Sequence, residues 1–365
     1  MVSDVMKKWK EYEMELVREK RKWAYEHPEL KQLFLEVTSR CNARCEHCGS
    51  RCDAKEQGKE IEAEYLKKTL KEIADHYGAE TVFLDVTGGE PLMRKDIFDI
   101  LEYAVSLGFN WGMTSNGMLI DENMVKKLEK ANMSTVSISI DGLKDTHEKF
   151  RKVPNCYEKI LKGIKLMQES PVIKIVQVTT VANKKNLDEL EDLYNLLVEN
   201  GVKYWRVVNC DPIGRALDND GILLDHEDFK FLFDFIKEKN NDGKMTEVTY
   251  GCSHYLGTNL EHEVRDSYFM CYTGLYVGSI LSNGDMFVCP NVPRRKELIQ
   301  GNIKTDSFVD VWENKYEFFR NEDRNACKKC KRCKHWNYCV GDSMHTWNFD
   351  KGEPNICLKD MFDKF

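Results

Sequence analysis

Leu33-Phe34-Leu35-Glu36-Val37-Thr38-Ser39-Arg40-Cys41-Asn42-Ala43-Arg44-Cys45-Glu46-His47-Cys48 is the stretch from which the fold of this chain is read. Residues 33–37 form an apolar run and read as a strand. The three cysteines after it follow CxxxCxxC spacing, on a loop leaving that strand. Thiolates so spaced can hold three irons of a cubic [4Fe–4S] cluster and leave the fourth iron without a protein ligand. An open iron takes a substrate or cofactor, as an open zinc position does. A zinc site or a chance run is the plainer alternative, but zinc favours paired CxxC or Cys/His sets with four ligands.

Working outward, short apolar runs alternate with amphipathic helices. Strands are expected over 33–37, 81–86, 110–114, 135–140, 174–180 and 204–208, with helices over 63–76, 95–107, 121–131, 157–168, 187–200 and 226–239. Such alternation predicts an α/β fold with a parallel sheet and outer helices. Right-handed crossovers curl six such units into a partial (β/α)6 barrel of TIM type. Its active site belongs at the strand C-terminal ends, where Cys41, Cys45 and Cys48 fall. Ahead of it, residues 6–26 read as a helix, with Trp9, Tyr12, Leu16 and Trp23 among polar residues. That helix is expected to pack on the barrel.

After about residue 245 the alternation stops and cysteines become dense. Residues 278–281 and 286–288 flank Ser282-Asn283-Gly284-Asp285 and predict a hairpin with an Asn-Gly turn. A helix is expected over 307–319, and Cys327, Cys330, Cys333, Cys339 and Cys357 follow. This region has few apolar residues for a conventional core, so metal clusters are expected to staple it.

Composition narrows the classes. The chain has 365 residues, 42% of them hydrophobic, enough for two domains or one large domain with an appendage. Its formal net charge is −7 and it has no long basic run, which argues against nucleic acid as partner. No apolar run approaches the roughly 18 residues of a membrane span. The charged N-terminus lacks a signal-peptide core, and a cytoplasmic location is expected. Fourteen cysteines there point to metal or clusters rather than disulfides.

On these residues the chain resembles the SPASM branch of the radical S-adenosylmethionine (SAM) superfamily, over about residues 31–360. Cys41, Cys45 and Cys48 match its CxxxCxxC, with His47 at the usual aromatic position. Thr87-Gly88-Gly89-Glu90-Pro91 matches its GGEP motif, where small glycines let backbone approach a ligand. The resemblance implies that Gly88, Gly89, Glu90 and Pro91 border the SAM methionine. It assigns Ser115 and Asn116, then Ser139 and Asp141, to the SAM ribose and carboxylate. His147 to Arg151 matches a His-x-x-x-Arg pattern, making Arg151 a partner for the SAM carboxylate, with a surface helix-cap arginine as the plainer alternative. Pro212-Ile213-Gly214-Arg215-Ala216 also has a counterpart in relatives.

The resemblance divides the chain into an N-terminal helix (1–30), a radical SAM partial barrel (31–240) and a small cysteine-rich SPASM domain (241–365) with auxiliary iron–sulfur clusters. Cys271 and Cys289 flank Gly284 at the SPASM spacing. Cys330, Cys333, Cys339 and Cys357 supply auxiliary cluster II. Ser343 stands where a further cysteine is expected. Cys252 is then a third ligand of auxiliary cluster I, and Cys327 is offered as its fourth, against an open iron. The cofactors implied are SAM and three [4Fe–4S] clusters.

Cys52, Cys156 and Cys210 remain. A free cysteine is ordinarily a small buried hydrophobe, but Cys210 follows the sixth strand and is a candidate hydrogen donor to a substrate radical. The activity implied is reductive cleavage of SAM to a 5′-deoxyadenosyl radical and oxidative modification of a peptide by a crosslink or thioether. Its partners would be a ribosomal precursor peptide, a flavodoxin or ferredoxin, and a separate leader-recognition protein. Sulfatase-maturing relatives carry an Asp directly after the cysteine equivalent to Cys289. Pro290 stands here, so that activity is not expected. The alternatives are a redox-neutral epimerase using Cys210, a sugar or nucleoside dehydrogenase, and an iron–sulfur electron-transfer protein.

Overall fold

The computed structural model describes residues 2–52, 60–244, 246–265 and 267–358. Helix α1 (Val2–Glu26) precedes a run of seven parallel strands. These are β1 (Gln32–Glu36), β2 (Phe83–Thr87), β3 (Asn110–Ser115), β4 (Thr135–Ser139), β5 (Ile175–Ala182), β6 (Tyr204–Asn209) and β7 (Glu247–Tyr250), side by side in chain order. The helices α2 (Ala63–Tyr77), α3 (Ile97–Ser106), α4 (Glu122–Lys130), α5 (Lys144–Arg151), α6 (Tyr157–Gln168), α7 (Leu190–Glu199) and α8 (His226–Asn240) lie between them. The partial α/β barrel is as expected, but it has a seventh strand. β7 is only four residues long and lies just past the point where the alternation was read as ending.

Alternation along each strand sorts core from lumen. On β6, Trp205 and Val207 are fully buried toward the helices. The Trp205 ring lies 6.2 Å from Tyr194 of α7 and 5.9 Å from Phe235 of α8, and its Nε1 donates to Thr180 Oγ1 at 2.8 Å. Arg206 and Val208 therefore face the other way, into the barrel. The same logic sends Leu84, Val86, Val136, Ile138 and Val178 outward and turns Asp85, Ser137, Ser139 and Thr179 inward.

The C-terminal part does not stand apart. Strand β8 (Val277–Ile280) pairs parallel with β1, and β9 (Asp285–Phe287) and β10 (Gly301–Asn302) extend the same sheet. The expected hairpin forms around Asn283-Gly284, with Gly284 at φ +90°. Helix α9 (Gly257–Val264) precedes the hairpin, and α10 (Phe308–Asn314), shorter than the expected 307–319, follows it. Phe287, Val288, Phe308, Val311, Trp312, Tyr316 and Phe319 join the barrel's own core. Glu72 of α2 accepts from the backbone N–H groups of Phe308 and Val309 at 3.3 and 3.2 Å, capping α10. Residues 277–319 thus share the barrel's apolar core, which composition did not predict.

α1 also departs from expectation. Its buried residues meet the C-terminal part rather than the barrel: Met14 packs with Tyr255, Tyr268 and Phe269, and Ala24 with Met270 and Leu275. Arg21 donates to the carbonyls of Tyr338 (2.7 Å) and Asn337. Trp9, Tyr12, Leu16 and Trp23 are exposed, so the aromatic positions do not mark its inner face. Among the described residues no helix is long and apolar enough to cross a membrane.

Replacing Trp205 by Ala removes the ring that joins β6 to α7 and α8. The variant is expected to lose about 3–5 kcal/mol of stability, read as a lower denaturant midpoint under anaerobic conditions.

Candidate active site

Beyond β1 the chain turns across the strand ends, where Val37 N donates to Thr87 O at 3.0 Å. Cys41 and Cys45 are 8% and 7% exposed, and Cys48 is half-buried. Distant segments shape this loop. Arg44 N and Glu46 N donate to the carbonyls of Arg151 (3.3 Å) and Phe150 (3.1 Å) at the end of α5. Arg215 N donates to Cys48 O at 3.0 Å, its Nε to Cys45 O at 2.7 Å and its Nη2 to Cys52 O at 2.9 Å. Gly214, at φ +55°, lies so close that a Cβ there would stand 2.2 Å from Cys48 O. The Pro212–Ala216 stretch thus clamps the cysteine loop from the far end of β6. His47 stacks on Phe150 at 4.7 Å with planes 7° apart, and burial lowers it to about 4, so the ring is neutral.

The ends of β2, β3 and β4 close around the same loop. Gly88 and Gly89 touch protein backbone: a Cβ would meet Thr38 O at 2.3 Å and Arg40 O at 2.1 Å. Their smallness serves the approach of the chain to itself, rather than only to a ligand. Pro91 opens a 3-10 turn, Pro91–Met93, and Glu90 is fully buried before it. The Glu90 carboxylate accepts from Ser115 Oγ (2.9 Å), Asn116 N (2.8 Å) and Leu92 N (3.3 Å). Asn116 Nδ2 donates to Asn42 Oδ1 at 2.7 Å and reaches Cys41 Sγ at 3.8 Å. Glu90, Ser115 and Asn116 are therefore one hydrogen-bonded unit against the cysteine loop.

Asp141 follows β4 and is fully buried. It accepts from Arg151 Nε at 2.7 Å and from Val181 N at 2.9 Å. Burial works against its charge, yet Arg151 overrides this and leaves the carboxyl at about 2. Arg151 is not a surface cap: it is 6% exposed and carries a charge felt by Cys45 and Cys41. The nearby His147 accepts from Asp141 N at 3.0 Å, and burial lowers it to about 4. Ser139 is the last residue of β4 and faces the lumen.

The thiols suit a cluster better than one ion. Among the described residues no group of three or more His, Cys, Asp or Glu side chains could hold a metal ion. A single zinc needs its donors about 2 Å from one point, whereas thiolates on a cubane attach to separate irons. Burial pushes Cys45 up to about 12, partly offset by Arg151. Such a thiol ionises when metal takes the place of its proton.

Eight of the other cysteines form two groups. The charges of Cys252, Cys271 and Cys289 act on one another, and burial pushes Cys289 up to about 12. Cys327, Cys330, Cys333, Cys339 and Cys357 line one cavity of about 100 Å³ with Tyr255 and His335. Cys327, offered above as the fourth ligand beside Cys271, lines the second group's cavity, where Cys330 N donates to its Sγ at 3.2 Å. Ser343 is buried and bonded to His345 Nε2 (3.3 Å) and Thr346 Oγ1 (3.1 Å). Cys210 is 2% exposed and packs with Phe150, Ala216 and Ile222. Burial pushes it up to about 12.

Between the groups lies a network that the sequence did not flag. Asp211, just after Cys210, takes His345 Nε2 at 3.2 Å and His254 Nε2 at 3.7 Å. His254 Nδ1 meets Asp342 Oδ2 at 2.8 Å. Burial disfavours charge on His254, but Asp342 and Asp211 outweigh it and hold the ring at about 9. Asp211 had one local signal, its place at a strand end; its partners come from distant loops and had none.

The sequence matches the radical SAM superfamily over residues 35–197 and the iron–sulfur cluster-binding SPASM domain over 271–334. An AdoMet-dependent heme synthase of Methanosarcina barkeri is 27% identical over 321 residues, covering 84% of this chain and 89% of that protein. The mycofactocin maturase MftC of Mycolicibacterium smegmatis is 25% identical over 315 residues, covering 86% and 77%. The solved structure of anSMEcpe with bound AdoMet and Cp18Cys peptide superposes with a TM-score of 0.67 at 21% identity, covering 87% of this chain and 90% of that one.

Two expectations follow from the geometry. Gly214→Val is expected to displace the carbonyl of Cys48 and lose the iron held by Cys41, Cys45 and Cys48, while the C-terminal groups keep theirs. Iron counting with electron paramagnetic resonance checks this. His254, raised from 6.5 to about 9 in the folded chain, contributes stability that is complete below pH 6.5 and lost as pH rises through 9. The melting-temperature gap between wild type and His254→Gln is therefore expected to shrink across that window.

Proposed function

Because this chain is an enzyme of the SPASM branch of the radical SAM superfamily, we propose that it makes a 5′-deoxyadenosyl radical from SAM and uses it on a peptide. The outcome is an oxidative modification, a crosslink or thioether. The observation that carries this reading is the cysteine loop clamped by Arg215 and α5 over the mouth of a polar lumen. When bound at Cys41, Cys45 and Cys48, the cluster supplies the electron that splits SAM into methionine and the radical.

The residues around it bind and orient. Arg151, steadied by Asp141, takes the SAM carboxylate with the N–H groups left over from its Nε bond. Gly88, Gly89, Glu90 and Pro91 border the methionine amino group. Ser115, Asn116 and Ser139 line the ribose side, and His47 backs the cysteine loop through Phe150. Removal of a hydrogen atom leaves a substrate radical. Its further oxidation releases one electron and one proton; Cys252, Cys271 and Cys289, and Cys330, Cys333, Cys339 and Cys357 with Cys327 beside them, would hold auxiliary iron–sulfur clusters, which would supply an acceptor for that electron. A flavodoxin or ferredoxin supplies the electron that starts the cycle. The packed position of Cys210 weighs against the epimerase alternative.

A peptide substrate is supported by the likeness to a peptide-bound fold and to a maturase. A second reading, a tetrapyrrole substrate, is favoured by a different observation: the relative named heme synthase spans 89% of its length against this chain.

Anaerobically reconstituted enzyme, given SAM and a strong reductant, is expected to release 5′-deoxyadenosine, and Cys41→Ala to release none. A precursor peptide should lose two hydrogens by mass spectrometry; a mass change in Fe-coproporphyrin III instead would establish the second reading. A cluster-replete wild type that yields no deoxyadenosine sinks both.

A further inference from the structure

The barrel lumen contains a cation that forms no ion pair with a carboxylate of the described residues. Arg206 sits in the middle of β6 and, as its neighbours Trp205 and Val207 face the helices, its side chain enters the lumen. Its Nε donates to Thr179 Oγ1 at 3.2 Å, and its Nη2 lies 3.5 Å from Ser137 Oγ. Those two hydroxyls already share a hydrogen bond of 2.6 Å. No carboxylate of the described residues pairs with the guanidinium. Asp85, facing the lumen from β2, is bonded instead to Gln32; its charge is felt at Arg206, as is that of Cys252. Partly burying a cation that those charges reach only at a distance carries a desolvation cost. Hydroxyls offset only part of that, and they leave the outer fork of the guanidinium unfilled. A planar fork of N–H donors matches a carboxylate in two parallel hydrogen bonds.

We propose that Arg206 is the anchor for a carboxylate group of the substrate, with Thr179 and Ser137 fixing the plane of the fork. The proposal rests on the reading above, in which the substrate meets the radical in the lumen, and it deepens that reading by naming a chemical class. The shared chemistry is a carboxylate on an organic substrate, and both an acidic peptide and a tetrapyrrole propionate carry one. Arg206 is a specificity-determining residue: it orients the acid below the strand ends, where the radical forms.

The test needs no turnover. Cluster-reconstituted protein is treated anaerobically with phenylglyoxal, which modifies guanidinium groups, and labelling of Arg206 is followed by peptide mapping. Propionate is expected to slow that labelling roughly threefold or more, while propionamide, of the same size but uncharged, leaves it unchanged. Equal rates with the two, or an Arg206 that never labels, overturns the proposal. Equal rates are also what a guanidinium serving only to balance charge at Cys252 would give.

Two larger acids separate the sources: Fe-coproporphyrin III against its tetramethyl ester, and a glutamate-containing hexapeptide against its glutamine counterpart. Protection by one acid and not its neutral form supports the anchor and names its source. Protection by propionate alone supports it for a smaller acid. For whichever acid protects, Arg206→Gln should weaken binding by about tenfold or more, and Arg206→Lys should recover part of the loss. An unchanged affinity in Arg206→Gln overturns the assignment. A protein that failed to cleave SAM would sink the proposed function and leave these binding results readable.

Discussion

The buried ion pair between Asp141 and Arg151 is the constraint on which the catalytic end depends. Removing one partner of such a pair typically costs about 3–5 kcal/mol, because the other is left charged and unpaired. Here the pair also has reach. Asp141 bonds to Val181 on β5, so it ties two strand ends together. Arg151 closes α5, and the carbonyls of Phe150 and Arg151 hold the loop between Cys41 and Cys48. One electrostatic contact thus links β4, β5, α5 and the cysteine loop.

The C-terminal part is joined by a different device. β8 lies directly against β1, so the strand that launches the cysteine loop also borders the hairpin leading to Cys289. Beneath that, Asp211 at the end of β6 engages His254 and His345, and His254 engages Asp342. The distance between barrel and auxiliary groups is therefore set by a shared sheet and a buried polar network, not by a flexible linker.

Much of this was legible because it is local. The CxxxCxxC run, the GGEP turn and the alternation of apolar runs with amphipathic helices each lie within a few residues of sequence, and the barrel follows from them. What was not legible depends on contacts between remote segments. β7 is too short to announce itself, and nothing in residues 277–280 reveals a strand beside β1. α1 misled because its exposed aromatics looked like a buried stripe, whereas Met14 and Ala24 make the contact. The ligand count grouped Cys327 with Cys271, whereas the cavity it lines is shared with Cys330, Cys333, Cys339 and Cys357, since counting carries no distances. Arg206 reads as one polar residue in a strand until the sheet is curled and its neighbours are seen to face outward.

The clamp of Arg215 on the carbonyls of Cys45, Cys48 and Cys52 has a bearing on biosynthesis. A chain is made from its N-terminus, and domains fold as their parts emerge. The cysteines that define this protein leave the ribosome early, yet their loop gets its shape only once Arg215, more than 160 residues later, has followed β6 into place. Until then the thiols lie on an unformed loop. An iron–sulfur cluster held at this site would accordingly be inserted late, once the wall of the barrel is built.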